Sequence, residues 1–112
     1  MTAKTAHRVA VAADKGMAEL ERKAGEAAGL LKLLANENRL LILCRLVAGR
    51  ELSVGDIADA VGLSQSALSQ HLARMRDEGL VATRREAQTV YYRIADPDIR
   101  RVLALLKSIY CP

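Results

Sequence analysis

The chain contains no tryptophan, no phenylalanine and only three tyrosines. A 112-residue protein that is 51% hydrophobic must then build its core from leucine, isoleucine, valine and alanine, a set that favours helix packing. One domain and a mainly α fold are expected. Long apolar runs are absent too: Lys32, Arg39 and Arg45 interrupt the most hydrophobic stretch well short of the roughly 20 residues a bilayer-spanning helix needs. The N-terminal "MTAKTAHRVAVAADKG" lacks a secretory h-region, so the expectation is a cytoplasmic chain with a flexible arm over residues 1–16 and no membrane partner. Cysteine is confined to Cys44 and Cys111, and in a reducing cytosol any bridge between them is conditional rather than a static staple. Acidic residues are missing between Asp59 and Asp77 in a chain of net charge +4. A surface that faces phosphates requires such a clearing.

Apolar residues define the elements. Met17, Leu20, Ala24, Ala27, Leu31 and Leu34 recur at spacings of three and four, which predicts a first helix over residues 17–34. Asn36 or Asn38 can cap a second helix, with Leu40, Leu43, Cys44 and Val47 on its core face and Gly49 at its end. In "SVGD", Ser53 and Asp56 form a capping-box pattern before a short third helix with Ile57, Ala58 and Val61 inward; Gly62 breaks it. Ser64 caps a fourth helix that buries Leu68, Leu72 and Met75, and Gly79 ends it. Period-two alternation in Val81, Thr83, Arg85 and in Val90, Tyr92, Ile94 predicts a β-hairpin. Its tip, "EAQT", lacks the glycine of a tight primed turn, which points to a longer loop. Asp96 and Pro97 open a last helix whose stripe of Ile99, Val102, Leu103, Leu106 and Ile109 is widened by Leu105 and Tyr110. That face is wider than a small monomer needs to cover. With no repeat and no dividing linker, residues 17–112 read as one unit of order helix, helix, helix, helix, strand, strand, helix.

Residues 53–81 carry a helix-turn-helix pattern, with small Ala58 at the crossing and Gly62 in the turn, and such a pair offers its second helix to the major groove. Gln65, Ser66, Ser69, Gln70 and Arg74 are the candidate DNA-binding residues there, because glutamine reads adenine while serine and arginine reach phosphates or bases. His71 suits a phosphate or packing contact better than catalysis. Arg84, Arg85 and Arg93 in the hairpin fit a wing laid on phosphates beside the groove. Neither cysteine has a base nearby in sequence, so no enzyme and no cofactor are expected.

With "LLKLLANENRLLIL", "DIADAVGLSQSALSQHLARMRDEGLV" and "RREAQTVYYRI", the sequence resembles the ArsR/SmtB family of bacterial winged-helix repressors over residues 17–110. The resemblance implies a winged helix-turn-helix homodimer, joined through the first and last helices, on a pseudo-palindromic inverted repeat of double-stranded operator DNA. Many members are metal-responsive, but this chain has Ser53, Val54 and Gly55 in place of the family's Cys-Val-Cys, and no histidine from Asp96 to Tyr110. The two cysteines, His7 and His71 form no zinc spacing either, so no metal site is expected. The placement of Cys44 and Cys111 resembles the BigR/SqrR group of the family, sensors of persulfide and polysulfide. For that group the resemblance implies that the two thiols join within one subunit, by a disulfide or a bridge with extra sulfur, and that the joined form releases DNA and derepresses sulfide-oxidation genes. The chemistry is sound: a thiolate attacks sulfane sulfur and the resulting persulfide is resolved by the second thiol. Alternatives stay open at this point: peroxide, an electrophile or a metal as inducer, or no switch, with Cys44 a buried small hydrophobe and Cys111 a terminal residue.

Overall fold

The structure, a computed structural model, describes residues 15–111. The N-terminal arm is outside the described residues as far as residue 14, and so is His7. Among the described residues no helix is long and apolar enough to cross a membrane. Where the sequence reads as one unit, the chain divides after Ala35 into two compact units, each described by itself. Ala35, at φ −80° and ψ 57°, leaves the helical region, and Asn36 begins a new cap in extended backbone.

The first unit holds α1 (Lys15–Arg22) and α2 (Ala24–Leu34) instead of one helix. Lys23 interrupts them at ψ 15°, and its N–H is shared between the carbonyls of Glu19 and Leu20 at 3.1 Å each. Gly25 and Gly29 lower the helix propensity just beyond the break. The period of three and four persists across Lys23, so the apolar pattern alone did not reveal it.

The second unit starts with α3 (Glu37–Gly49). Asn36 is the cap of the two candidates, its side-chain oxygen accepting the Arg39 N–H at 3.1 Å. The residue that turns out of the helix is Arg50, at φ 68°, and not Gly49. Gly49 serves a different purpose, since a Cβ there would stand only 2.9 Å from the Leu52 side chain. Next come β1 (Leu52–Ser53) and α4 (Val54–Val61). Ser53 Oγ accepts the Asp56 N–H at 3.2 Å, which is the serine's half of the expected capping box. Gly62 closes α4 in the left-handed region at φ 72°, where a side chain would be strained. Ser64 then caps α5 (Gln65–Asp77) through the Ala67 N–H at 3.2 Å.

β2 (Val81–Glu86) and β3 (Thr89–Ile94) form the hairpin, and β1 pairs antiparallel with β3, giving a three-stranded sheet of order β1-β3-β2. The third strand was not expected. Its two residues take strand form only because Leu52 and Ser53 lie opposite Tyr92 and Tyr91. The hairpin tip is also shorter than expected: Glu86 pairs with Thr89, and Ala87 adopts φ 55° without being glycine. Asp96 caps α6 (Pro97–Tyr110), its carboxylate accepting the Asp98 N–H at 2.9 Å.

The core of this unit is aliphatic. Ile42, Leu43 and Leu46 of α3, Ile57 of α4, Leu68, Leu72 and Met75 of α5, and Leu80, Val81, Ile94, Ile99 and Leu103 are all buried. This is the mainly α winged helix-turn-helix expected from the sequence, enlarged by one short strand.

Candidate nucleic-acid interface and thiol pair

The buried side of α5 is Leu68, Leu72 and Met75, which fixes its outer side by the helical period. Gln65, Ser66, Ser69, Gln70 and Arg74 are all exposed, and His71 is half-buried beside them. Ser66 Oγ lies 3.3 Å from the capping Ser64 Oγ, which holds that hydroxyl at the helix N-terminus, where an anion is favoured. α5 packs on α4 and on β2, so the helix, its cap and the hairpin are carried as one body.

Strand register sorts the wing arginines by face. Arg84 lies opposite Tyr91 and Arg93 opposite Ala82, on one face; Arg85 lies opposite Val90, on the other. Arg85 is exposed and forms no ion pair among the described residues. Arg84 is differently placed. Its Nε donates to the two Glu51 oxygens at 3.1 and 3.2 Å, Nη2 donates to Glu51 at 2.8 Å, and Nη1 to Glu86 at 2.9 Å. The guanidinium carbon also sits 4.8 Å from the Tyr91 ring centroid. Hydrogen bonds from Arg84 hold the Glu51 carboxyl below its usual range, assisted by the charges of Arg84 and Arg93 and opposed by desolvation. Glu51 and Glu86 in turn raise the already high pKa of Arg84.

A second fork joins α3 to the end of the reading helix: Arg39 Nη1 and Nη2 donate to the two Glu78 oxygens at 3.1 and 2.9 Å. Sequence reasoning missed Glu51, Glu78 and Arg39, because the partners are 33 and 39 residues apart and no local pattern joins them.

Cys44 is exposed rather than core-facing. The buried face of α3 is Ile42, Leu43 and Leu46; because apolar residues surround Cys44 on almost every side of this helix, its period does not select a face. Cys111 is exposed as well and ends α6, its N–H donating to the Lys107 carbonyl at 2.7 Å. α3 and α6 pack together, and the two thiols are unbonded. Partial burial pushes the Cys44 thiol pKa up, the Cys111 charge pushes it further, and Arg45 acts in the opposite direction. Among the described residues no group of three or more His, Cys, Asp and Glu could hold a metal ion.

Comparison with known proteins agrees with this fold. The family model described as "Bacterial regulatory protein, arsR family" matches residues 36–83, from the cap of α3 into β2. The transcriptional activator HlyU of Vibrio cholerae serotype O1 is 48% identical over 99 residues, which cover 88% of this chain and 91% of that protein. The solved structure of reduced HlyU from V. cholerae N16961 gives a TM-score of 0.76 at 50% identity, covering 84% of this chain and 98% of that one. The transcriptional repressor BigR from Xylella fastidiosa gives 0.77 at 37% identity, covering 84% and 95%. The chain belongs to the arsR family of bacterial regulatory proteins and is a DNA-binding transcriptional regulator of winged helix-turn-helix fold, not an enzyme.

Proposed function

We propose that the chain represses transcription as a homodimer on an inverted-repeat operator, and that joining Cys44 to Cys111 with reactive sulfur species releases it and switches on sulfide-detoxification genes. The observation that carries this reading is the thiol pair itself: two exposed, unbonded cysteines, Cys44 on α3 and Cys111 at the end of α6, carried by helices that pack on each other. Gln65, Ser66, Ser69, Gln70, His71 and Arg74 read the operator in the major groove, and Arg85 meets phosphate from the wing. The exposed apolar residues Leu105, Ile109 and Tyr110 of α6 supply the face that a second copy covers.

The switch chemistry balances. One thiolate attacks a sulfane sulfur and becomes a persulfide, while the donor leaves one sulfur shorter. The second thiolate then attacks the sulfur bound to carbon, hydrosulfide departs with the electron pair, and a disulfide remains. If both thiols become persulfides first, loss of one hydrosulfide leaves a trisulfide, which spans more than the 4.4–6.8 Å Cα separation of roughly ordinary disulfides. A bridge from α3 to α6 then couples the reading head to the dimer helix and spoils its match to half-sites roughly 34 Å apart.

Intact mass and free-thiol labelling of the reduced chain, before and after inorganic polysulfide or peroxide, tests the switch. Loss of both labelable thiols with polysulfide, accompanied by release of bound duplex, is expected. Two labelable thiols after both treatments would remove the switch, while bridging by peroxide as well would make it a general oxidant sensor. Transcription from a promoter carrying the operator reads the direction of regulation, and lower output with the reduced chain is expected.

A further inference from the structure

The wing contains a cationic side chain whose donors are already taken. All three nitrogens of the Arg84 guanidinium already donate to carboxylates, and Tyr91 lies against the guanidinium. A phosphate would have to displace Glu51 or Glu86, and the freed carboxylate would then face the DNA backbone. Two acids, Glu51 and Glu86, stand against Arg84 and Arg93 on this face, so the cluster as a whole offers phosphate no net attraction.

The cluster does something else. Glu51 lies two residues beyond the end of α3, while Arg84 sits in the middle of β2, so their fork ties the wing to that helix. Forked arginine–carboxylate pairs fix direction as well as distance, which a point charge does not. We propose that Arg84 is a positioning residue that docks the wing against the end of α3, and that it acts on DNA affinity through geometry, without touching phosphate. The Arg39–Glu78 fork likewise ties the far end of α5 to α3. The inference rests on the DNA binding of the family and is independent of the thiol switch.

An arginine that meets phosphate and one that positions the wing differ in salt dependence, and removing a partner acid strengthens binding in the first case and weakens it in the second. The probe is a duplex recovered from a randomised library by binding to the reduced wild-type chain, with affinity measured over a series of salt concentrations. Loss of a phosphate contact lowers the slope of log affinity against log salt by about 0.9. Arg85→Gln is the reference for that behaviour. Arg84→Gln is expected to weaken binding about five-fold or more with the slope unchanged, a loss in the range of ordinary couplings between sites. Glu51→Gln is expected to weaken binding too, although it removes a negative charge, and Arg84→Lys is expected not to rescue it because the fork is lost. Circular dichroism melts confirm that each variant tested is folded. Tighter or unchanged binding by Glu51→Gln, wild-type affinity in Arg84→Lys, or a slope lowered by about one in Arg84→Gln would overturn the proposal.

Discussion

Gly49→Ala sets two effects of similar size against each other at one residue. Alanine is the better helix former by about 0.8–1.0 kcal/mol in a helix interior, and only part of that gain applies at the last position of α3. Against it, the new Cβ would stand 2.9 Å from Leu52 Cδ2, 3.0 Å from Cγ and 3.1 Å from Cδ1. Because the whole branched end is close, turning one methyl aside gives no relief. Leu52 must shift as a unit, yet it is held opposite Tyr92 in the sheet. Overpacking of this kind costs about 1–3 kcal/mol, so a net destabilisation of about 1–2 kcal/mol is expected. Gly55→Ala is the control in the same unit: its nearest neighbour would be Ser53 Oγ at 3.9 Å, an ordinary contact. It should raise stability by up to about 1 kcal/mol. Urea unfolding of the three proteins at one pH is the assay, with the midpoint expected to fall for Gly49→Ala and rise for Gly55→Ala. Equal rises in both would refute the claim that the approach of Leu52 reserves position 49 for glycine. Because Glu51 lies between these residues, DNA affinity should fall along with stability in Gly49→Ala.

Further outcomes are expected elsewhere. Gln70→Ala and Arg74→Ala should each weaken operator binding by about 1–3 kcal/mol in a fluorescence anisotropy titration, with Gln70→Ala also relaxing base preference. Leu105→Glu with Ile109→Glu should leave the chain monomeric by light scattering, since both side chains are exposed on α6. With the Cys44 thiol held above its ordinary value, polysulfide bridging should accelerate as pH rises through the thiol range. Arg45→Ala removes the one opposing influence and should shift that profile further alkaline, as followed by quenched thiol labelling. The same raised pKa makes the Cys44 contribution to stability full below the unfolded thiol value, near 8.5, and progressively lost as pH rises through the folded one. Cys44→Ser should flatten that part of the stability profile.

Local signals carried much of this fold into the sequence. Ser53, Ser64 and Asp96 each cap the helix they precede because the group they satisfy is only two or three residues away. The outer face of α5 was legible for a related reason, since burial of Leu68, Leu72 and Met75 leaves its polar residues one direction to point. Features that depend on distant partners were not legible. β1 exists only through Tyr91 and Tyr92, and Arg84 looks like any wing cation until Glu51 is brought to it. Cys44 was misplaced because a helix apolar almost all round has no single preferred side, and tertiary packing decides which residues it buries. The packing of α3, which carries Cys44, on α6, which ends at Cys111, is likewise contained in no period of either helix.

The scarcity of aromatic residues, which made the core aliphatic, also gives the protein an unusual optical character. Ultraviolet emission comes from tyrosine alone, with no tryptophan to mask it. Tyr91 lies beneath Arg84 and Tyr92 faces Leu52, so two emitters sit in the wing sheet. Tyr110, 78% exposed, immediately precedes Cys111 and forms part of the apolar face of α6. The native chain thus carries its own fluorophores at the wing and at the thiol-bearing end. Replacing Tyr110 alone with leucine would separate the two signals, so that wing movement and changes at the end of α6 could be followed without an added label.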